Sequence, residues 1–577
     1  MGLFKSVRDS MKKLLIGLIV IVLVGSPVFT SQAQKKALSS TPYENLEADA
    51  DLESVRELCE EHPKTCTAIG VGRKASTDRS VITTHSCDGG ACDFRYLFVP
   101  AADWPKGSTR AIRTVPQASG GWEIETRIVN TNYVIPQVPH TYAYFKGVFG
   151  HMNEHQLHIG ESTIGGVGEL DNPHGAFGVT ELSMIAMERC TTARGAIQLM
   201  GKLAEKYGYF GYSIGESLLV GDTKEVWLFE ILRPGPEWNP DPSTGIDPTG
   251  RLGCCWVAQR VPDREIVVVP NVSRIREVDL GGKKNFMGSA NVFLLAEELG
   301  LWDSTSGEPF VWNEVYSDRE ANLRLWNVYR LLAHSRYDRP FTPDLAEYPF
   351  SFKPDKKLSV WDMVALYRDN AEGTEQDNTK GIAAGPWSCP VAPTNPTASY
   401  LVPVPNCEYT VINQARDWLP DPIGGISWYG PDMGTTSVFV PFYCGINKLP
   451  EKYSTGNHWE ISGNSAWWAF NLVSNWVNLM YSVMIKDVRE AQFNLESAER
   501  DMITTIDKKA KRLYRKDPSL AADFLTEYCI ENANKVVAAW WDLAERLICQ
   551  HDDGGVGMYG EKGKPRPPEW WKEAAND

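Results

Sequence analysis

The sequence predicts an α+β protein of layered architecture, and three observations carry that reading. Short β-branched runs cluster between residues 66 and 163 and again between 216 and 269. A long helical pattern, Glu181 to Tyr207, separates the two clusters, and a helix-rich stretch fills about 465–550. Strands and helices therefore come in blocks, which argues against a regular βαβ winding.

Composition sets the bounds. The chain has 577 residues, 43% hydrophobic and 23% charged, with 20 Trp, enough apolar surface for a sizeable core. That length allows several domains or one large domain with additions. Acids outnumber bases 73 to 58, for a formal charge of −15. Nucleic acid is a poor partner for such a surface, since phosphate binding needs clustered bases. No internal repeat is visible.

The N-terminus reads as a targeting segment. Lys5, Arg8, Lys12 and Lys13 precede an apolar run from Leu14 to Gly25, and Ser31-Gln32-Ala33 has the small-residue spacing of a signal-peptidase site. The run is too short to span a bilayer as a helix. Residues 1–33 are thus expected to be a signal peptide and the protein exported, periplasmic or secreted, with no stable membrane insertion after signal removal. Residues 34–65 are polar, with a weak helical pattern from Leu52 to Leu58, and read as a propeptide or linker. The twelve cysteines can then be read as disulfide formers. Loss of Cys59 with the leader leaves an even number beside Cys66, able to pair. No CxxC or finger-like spacing points to structural zinc.

From Cys66 the character changes. CTAIGVG and SVITTHS flank Thr77-Asp78-Arg79, which is the pattern of a β-hairpin. Further strands are expected at Tyr96–Val99, Tyr142–Phe149, Gln156–Thr163, Glu216–Val220, Val226–Leu232, Cys255–Gln259 and Glu265–Val269. In the long helix, Leu182, Ile185, Cys190, Ala193, Ile197, Met200 and Ala204 recur at three- and four-residue steps. Other helices are expected at 288–300, 321–334 and 358–370. Residues 371–463 return to strands and Pro/Gly turns. In the helical stretch that follows, Leu525, Trp540, Ala544 and Leu547 share a face.

Three segments match catalytic patterns. His151-Met152-Asn153-Glu154-His155 fits H-x-x-E-H, which binds zinc when both histidines share a helix face. Its flanks read as strand, where positions four apart stand about 13 Å apart, too far for one metal. Gly211-Tyr212-Ser213-Ile214-Gly215 fits the G-x-S-x-G nucleophile elbow, but a helix precedes it and a strand follows, the reverse of what the elbow requires. Cys66 is the third. Cleavage before it makes its thiol a nucleophile and its own α-amino group, of reference pKa about 7.7–8.0, the base. Ala68 and Gly70 alternate on its side of the strand and leave room for a substrate. The acidic loop Glu372–Asp377 reads as solvated rather than as a cation site.

The segment CTAIGVGRKASTDRSVITTHSCDG resembles the start of the N-terminal-nucleophile cysteine dipeptidases, the dipeptidase A type related to secernins. Further landmarks follow in the same order, among them YFKGVFGHMNEHQLHIGEST, ARGAIQLMGKLAEKYGY, VPNVSRIREVD, NFMGSANVF and WYGPDMGTTSVFVPFYCGI, so the resemblance runs from about Cys66 to Trp571. It implies a four-layer αββα N-terminal-nucleophile hydrolase sandwich, shared with penicillin and bile-salt amide hydrolases. Residues 66–463 would form the catalytic domain and 464–577 a helical C-terminal part of the same peptidase region.

It also implies a hydrolase of dipeptides or small peptides that needs no metal or organic cofactor. Cys66 would be nucleophile and α-amino base, Asp88 would orient the amine or thiol, and Asn271 would supply an oxyanion-hole amide. His85 stands where the amide hydrolases have arginine, and its role stays open. The hairpin holds Asp78-Arg79 where Asp-Gly is usual, and Ser162-Thr163 replaces a second oxyanion asparagine. Glu230 and Arg319 or Arg324 fall only loosely near positions of polar site residues. Two other readings remain: an acyl-amide hydrolase of the penicillin or bile-salt amidase type, and a catalytically silent binding protein with Cys66 paired to Cys59 or Cys87. Homo-oligomerisation is left open.

Overall fold

The computed structural model describes residues 66–88, 92–114, 129–211, 213–317, 319–390, 401–557 and 562–574. The expected signal peptide, propeptide and Cys59, and Tyr212 of the G-x-S-x-G segment, lie outside the described residues.

Two antiparallel sheets dominate. The six-stranded sheet has the order β14 (Ile266–Val269), β1 (Ala68–Val71), β2 (Val81–Asp88), β16 (Cys407–Ala415), β17 (Ile426–Pro431), β18 (Val440–Tyr443). The eight-stranded sheet has the order β15 (Phe286–Gly288), β13 (Cys255–Arg260), β12 (Val226–Leu232), β11 (Gly215–Gly221), β10 (His158–Thr163), β9 (Gly150–Asn153), β8 (Tyr144–Lys146), β3 (Leu97–Val99). Two small ribbons, β4 (Ala102–Asp103) with β7 (His140–Thr141) and β5 (Thr109–Thr114) with β6 (Val129–Pro136), stand apart. In the β1–β2 hairpin Gly70 lies opposite Thr83 and Val71 opposite Ile82. Arg79 takes the left-handed conformation at φ 69° that Asp-Gly turns give to glycine. The Asp78 carboxylate accepts from Ser80 N at 3.0 Å and closes the turn.

The sheets pack face to face, β2 against β10, β11 and β12, and β16 against β9. Helices α1 (Val179–Arg189) and α2 (Ala193–Tyr207) cover the eight-stranded sheet. Helices α3 (Leu323–Leu332), α4 (Val360–Leu366), α5 (Ala466–Val477), α6 (Tyr481–Tyr514) and α7 (Pro518–Gln550) cover the six-stranded one. The result is the helix–sheet–sheet–helix sandwich expected of the fold. Leu525, Trp540, Ala544 and Leu547 are buried as their spacing implied. No described helix is long and apolar enough to cross a membrane.

Three expectations need correction. The long helix is two helices: Cys190 is extended at φ −120°, ψ 151°, and the Thr192 side chain accepts from Gly195 N at 3.2 Å to cap a fresh start. Ala68 and Gly70 make no substrate room. A Cβ on Gly70 would stand 3.2 Å from Leu219 and from Val226, so the small residues let the two sheets interdigitate. Nor do the cysteines pair throughout. Among the described residues Cys87 is bonded to Cys92, while Cys190, Cys254, Cys255, Cys407, Cys444 and Cys529 are unbridged thiols. Adjacent strand residues point to opposite faces, so Cys254 and Cys255 are filed into two separate apolar clusters.

The sheets approach closely at Gly160, where an added Cβ would sit 2.2 Å from the Thr84 carbonyl oxygen. Backbone cannot retreat as a side-chain tip can. Gly160→Ala is expected to lower stability by about 3 kcal/mol, at the upper end of overpacking costs. Gly168→Ala, which meets nothing within 4 Å, should stay within about 0.5 kcal/mol. Urea midpoints of the two variants check this, and equal midpoints would remove the close approach as a constraint.

Candidate active site

Cys66 stands at the head of β1, inside the six-stranded sheet, and is fully buried. The main chain around it is held at every turn. Thr67 N donates to Ser86 Oγ at 3.1 Å, and Ser86 Oγ donates to Asp88 Oδ2 at 2.8 Å. Asp88 therefore positions the start of β1 through a hydroxyl. The Thr67 carbonyl accepts from the Tyr367 hydroxyl at 3.0 Å. The Cys66 carbonyl accepts from Arg324 Nη1 at 2.6 Å and from Ser162 Oγ at 3.3 Å.

Arg324, in the first turn of α3, ties this strand head to Asn271. Its Nη1 also reaches Thr67 Oγ1 at 3.1 Å, and its Nη2 donates to Asn271 Oδ1 at 2.8 Å. Asn271 follows β14 and adopts φ 62°, a left-handed conformation that asparagine tolerates better than most residues. Its main-chain N donates to Ser162 Oγ at 3.0 Å and its Nδ2 to the Thr163 carbonyl at 2.7 Å. An amide nitrogen carries two hydrogens, so the bond to Thr163 fixes the Asn271 plane with one N–H and leaves a second on the same nitrogen. Glu230 accepts from Ser273 Oγ at 2.6 Å, Arg274 N at 2.7 Å and Trp312 Nε1 at 2.7 Å, and so clamps the turn after Asn271. Both loosely placed residues, Glu230 and Arg324, thus belong to the support of the site. Arg319 joins them by donating to the Asn271 carbonyl at 2.8 Å.

On the thiol side, the ligand-type atoms of Cys66, His85 and Glu161 all lie within 4.8 Å of one another, and all three residues are buried. His85 Nδ1 donates to the Glu161 main-chain carbonyl at 2.9 Å. That leaves Nε2 to accept from the Tyr409 hydroxyl at 3.3 Å, whose oxygen lies 3.4 Å from His151 Nε2. The three groups are in kind metal ligands, but His85 Nδ1 has spent its proton on the carbonyl and offers no lone pair.

Electrostatics set the protonation. Burial, then the charges of Glu161 and Asp88, push the Cys66 thiol well up, so it is neutral in this chain. Burial lowers His85 and leaves a neutral imidazole. Burial raises the Asp88 carboxyl to about 7 against the pull of Cys407, Ser86 and Arg324. Arg324, lowered by burial to about 10, stays a cation at neutral pH.

The two rival motifs fall where their flanks placed them. His151 lies in β9 and is buried, Glu154 accepts from Ala143 N at 2.8 Å in the following turn, and His155 reaches Asp421 at 3.4 Å. Ser213 lies between α2 and β11, a helix-to-strand connection. In the acidic loop Asp377 accepts from Gly373 N and Thr379 N, at 2.9 and 3.0 Å.

A model of peptidase family C69 matches residues 65–494, more than half of the chain. The chain belongs to peptidase family C69. It is 25% identical over 513 residues to the dipeptidase A of Lactobacillus helveticus, covering 85% of this chain and 97% of that one. It is 24% identical over 395 residues to a "probable dipeptidase" of Salmonella dublin, covering 66% and 81%. A "probable dipeptidase" of Latilactobacillus sakei is 24% identical over 380 residues, covering 65% and 72%.

In this C69 peptidase the structure brings Cys66, His85, Asp88 and Asn271 into one buried network, and adds members the sequence reading did not name. Glu161 and Tyr409 are the chief of these. A signal for Glu161 existed: His158-Ile159-Gly160-Glu161-Ser162-Thr163 puts four polar residues into a strand buried on both faces, a pattern structural strands avoid.

Arg324→Lys should lower kcat/KM on a peptide substrate about ten- to hundredfold. A lysine cannot hold Cys66, Thr67 and Asn271 with one planar fork, and a charged hydrogen bond is worth about 1.5–3 kcal/mol. Unchanged kinetics would show that the fork positions nothing.

Asp88 predicts an unusual slope of stability with pH. Its folded carboxyl binds protons more tightly than the unfolded one, so its contribution is complete below about pH 4 and is lost as pH rises through about 7. Between pH 5 and 8 wild type should lose on the order of 2–3 kcal/mol more than Asp88→Asn, which cannot ionise. Urea unfolding at both pH values measures this, and parallel losses would refute it.

Proposed function

We propose that the chain is an exported cysteine-type dipeptidase whose nucleophile, Cys66, becomes N-terminal when residues 34–65 are removed. The observation that carries this reading is the pinning of the head of β1. The carbonyl of Cys66 and both main-chain polar groups of Thr67 are held by Arg324, Ser162, Ser86 and Tyr367, while the thiol faces polar groups. Such an arrangement fixes a reacting atom at a strand end, as near-attack geometry requires. The names of the curated relatives support dipeptides or small peptides as substrates.

In the proposed turnover, Cys66 Sγ attacks the scissile carbonyl and its α-amino group takes the thiol proton. The second N–H of Asn271 Nδ2 holds the developing oxyanion. The α-ammonium then protonates the leaving amine, and water hydrolyses the thioester. Asp88 and Arg324 keep the strand head in place. The silent-binding reading loses one support, because Cys87 is bonded to Cys92 and not to Cys66.

Cys66→Ala should abolish dipeptide hydrolysis while leaving a folded protein. N-terminal sequencing and intact mass of active wild type should find Cys66 first. A panel of dipeptides beside acyl-amides fixes the substrate class. An active species that keeps residues ahead of Cys66 would defeat the N-terminal-nucleophile reading.

A further inference from the structure

The cleavage that frees Cys66 poses a problem that turnover does not. In the uncut chain the nitrogen of Cys66 belongs to the Thr65–Cys66 peptide bond, so the base proposed for turnover does not yet exist. The thiol is buried and neutral, and another base must be found for that first cut. Three side chains near the thiol are of the kinds that serve as bases. His85 has its Nδ1 proton on the Glu161 carbonyl and its Nε2 against the Tyr409 hydroxyl. Asp88 takes the Ser86 hydroxyl and is not in the compact group around the thiol. Glu161 is: its Oε2 is buried with no hydrogen bond among the described residues and lies 3.7 Å from His85 Nδ1, and a Glu161 carboxylate oxygen lies within 4.8 Å of Cys66 Sγ.

Resting on the N-terminal-nucleophile reading above, we infer that Glu161 is the base of propeptide release, a task separate from turnover. The Glu161 carboxylate takes the Cys66 thiol proton. The thiolate attacks the Thr65 carbonyl carbon, a C–S bond forms, and the carbonyl electrons move to oxygen. The tetrahedral intermediate collapses with rupture of the Thr65–Cys66 C–N bond, and Glu161 returns its proton to the departing nitrogen, now the α-amine. Water hydrolyses the thioester to a Thr65 carboxylate and a free thiol. The elements come from both sheets: β1 presents the nucleophile and β10 the base, and the Thr163 hydroxyl, 3.1 Å from Glu161 Oε1, steadies the other carboxylate oxygen.

The test compares precursor processing with turnover. Purified full-length Glu161→Gln should lose its leader at least a hundredfold more slowly than wild type by intact mass, the lower range for loss of a general base. A second form of the same variant carries a site-specific protease sequence directly ahead of Cys66. Once cut, it should hydrolyse dipeptide at least tenfold faster than the uncut variant, which also shows that it has folded. Processing at the wild-type rate would overturn the inference, as would a cut variant no more active than the uncut one. Failure of the underlying reading looks different: wild type cut at the same engineered site would be inactive, or uncut wild type would be active.

Discussion

The site depends on how closely the two sheets approach at Gly160. With hydrogen in place of a side chain, β10 comes against the main chain of β2 at Thr84. That contact brings the next three residues of β10 to the head of β1. Glu161 offers its carbonyl to His85, Ser162 accepts from Asn271 N and donates to the Cys66 carbonyl, and Thr163 receives the Asn271 amide. Cys66, the proposed nucleophile, belongs to one sheet and half of its environment to the other. A slip of β10 by one residue would turn these side chains to the opposite face, so the register of β10 with β11, Glu161 opposite Leu218, is as much a part of the site as any side chain.

Burying Asp88, Glu161, Glu230 and Arg324 together is costly, since each charge leaves water. The fold offsets this unevenly, and the unevenness is informative. Glu230 is saturated by a hydroxyl, two main-chain N–H groups and an indole, which marks it as a clamp. Among the described residues, Asp88 Oδ1 and Glu161 Oε2 are each buried without a hydrogen bond. A structural carboxylate would be expected to find partners for both oxygens. Groups left under-satisfied beside a thiol are the ones whose protonation can change during a reaction.

Much of this was legible in the chain. The β1–β2 hairpin, the strands from β10 to β14 and the α3 and α4 helices follow from period and turn chemistry, because each is a local pattern. The break at Cys190 was not legible, since the apolar spacing runs straight through it and the interruption rests on a Thr192 cap. Cys66 was named from its place at the head of the first strand and His85, Asp88 and Asn271 from resemblance, and the structure places the four together. Glu161 and Tyr409 escaped because their importance comes from pairing across elements: β10 with β2, and β16 with β9. Arg324 lies 258 residues from the carbonyl it holds, and no periodicity reports a contact at that separation.

Burial alone does not single out Cys66. Cys255, Cys444 and Cys529 are each pushed by burial to about 12, and Cys66 is raised by the same cause. Cys407 even shares Asp88 with it, yet its thiol lies 3.2 Å from the Tyr409 carbonyl, a contact in which sulfur can only donate. What separates Cys66 is that its sulfur is grouped with both an imidazole and a carboxylate, those of His85 and Glu161, at the end of a strand. In the uncut chain a neutral, buried sulfur is protected from oxidation, which follows thiolate character and exposure. For turnover, activation comes with a change in covalent state. Under the proposed mechanism, release of the α-amine supplies the turnover base where the sulfur already sits, so the cut passes the same thiol from a base lent by the other sheet to one of its own.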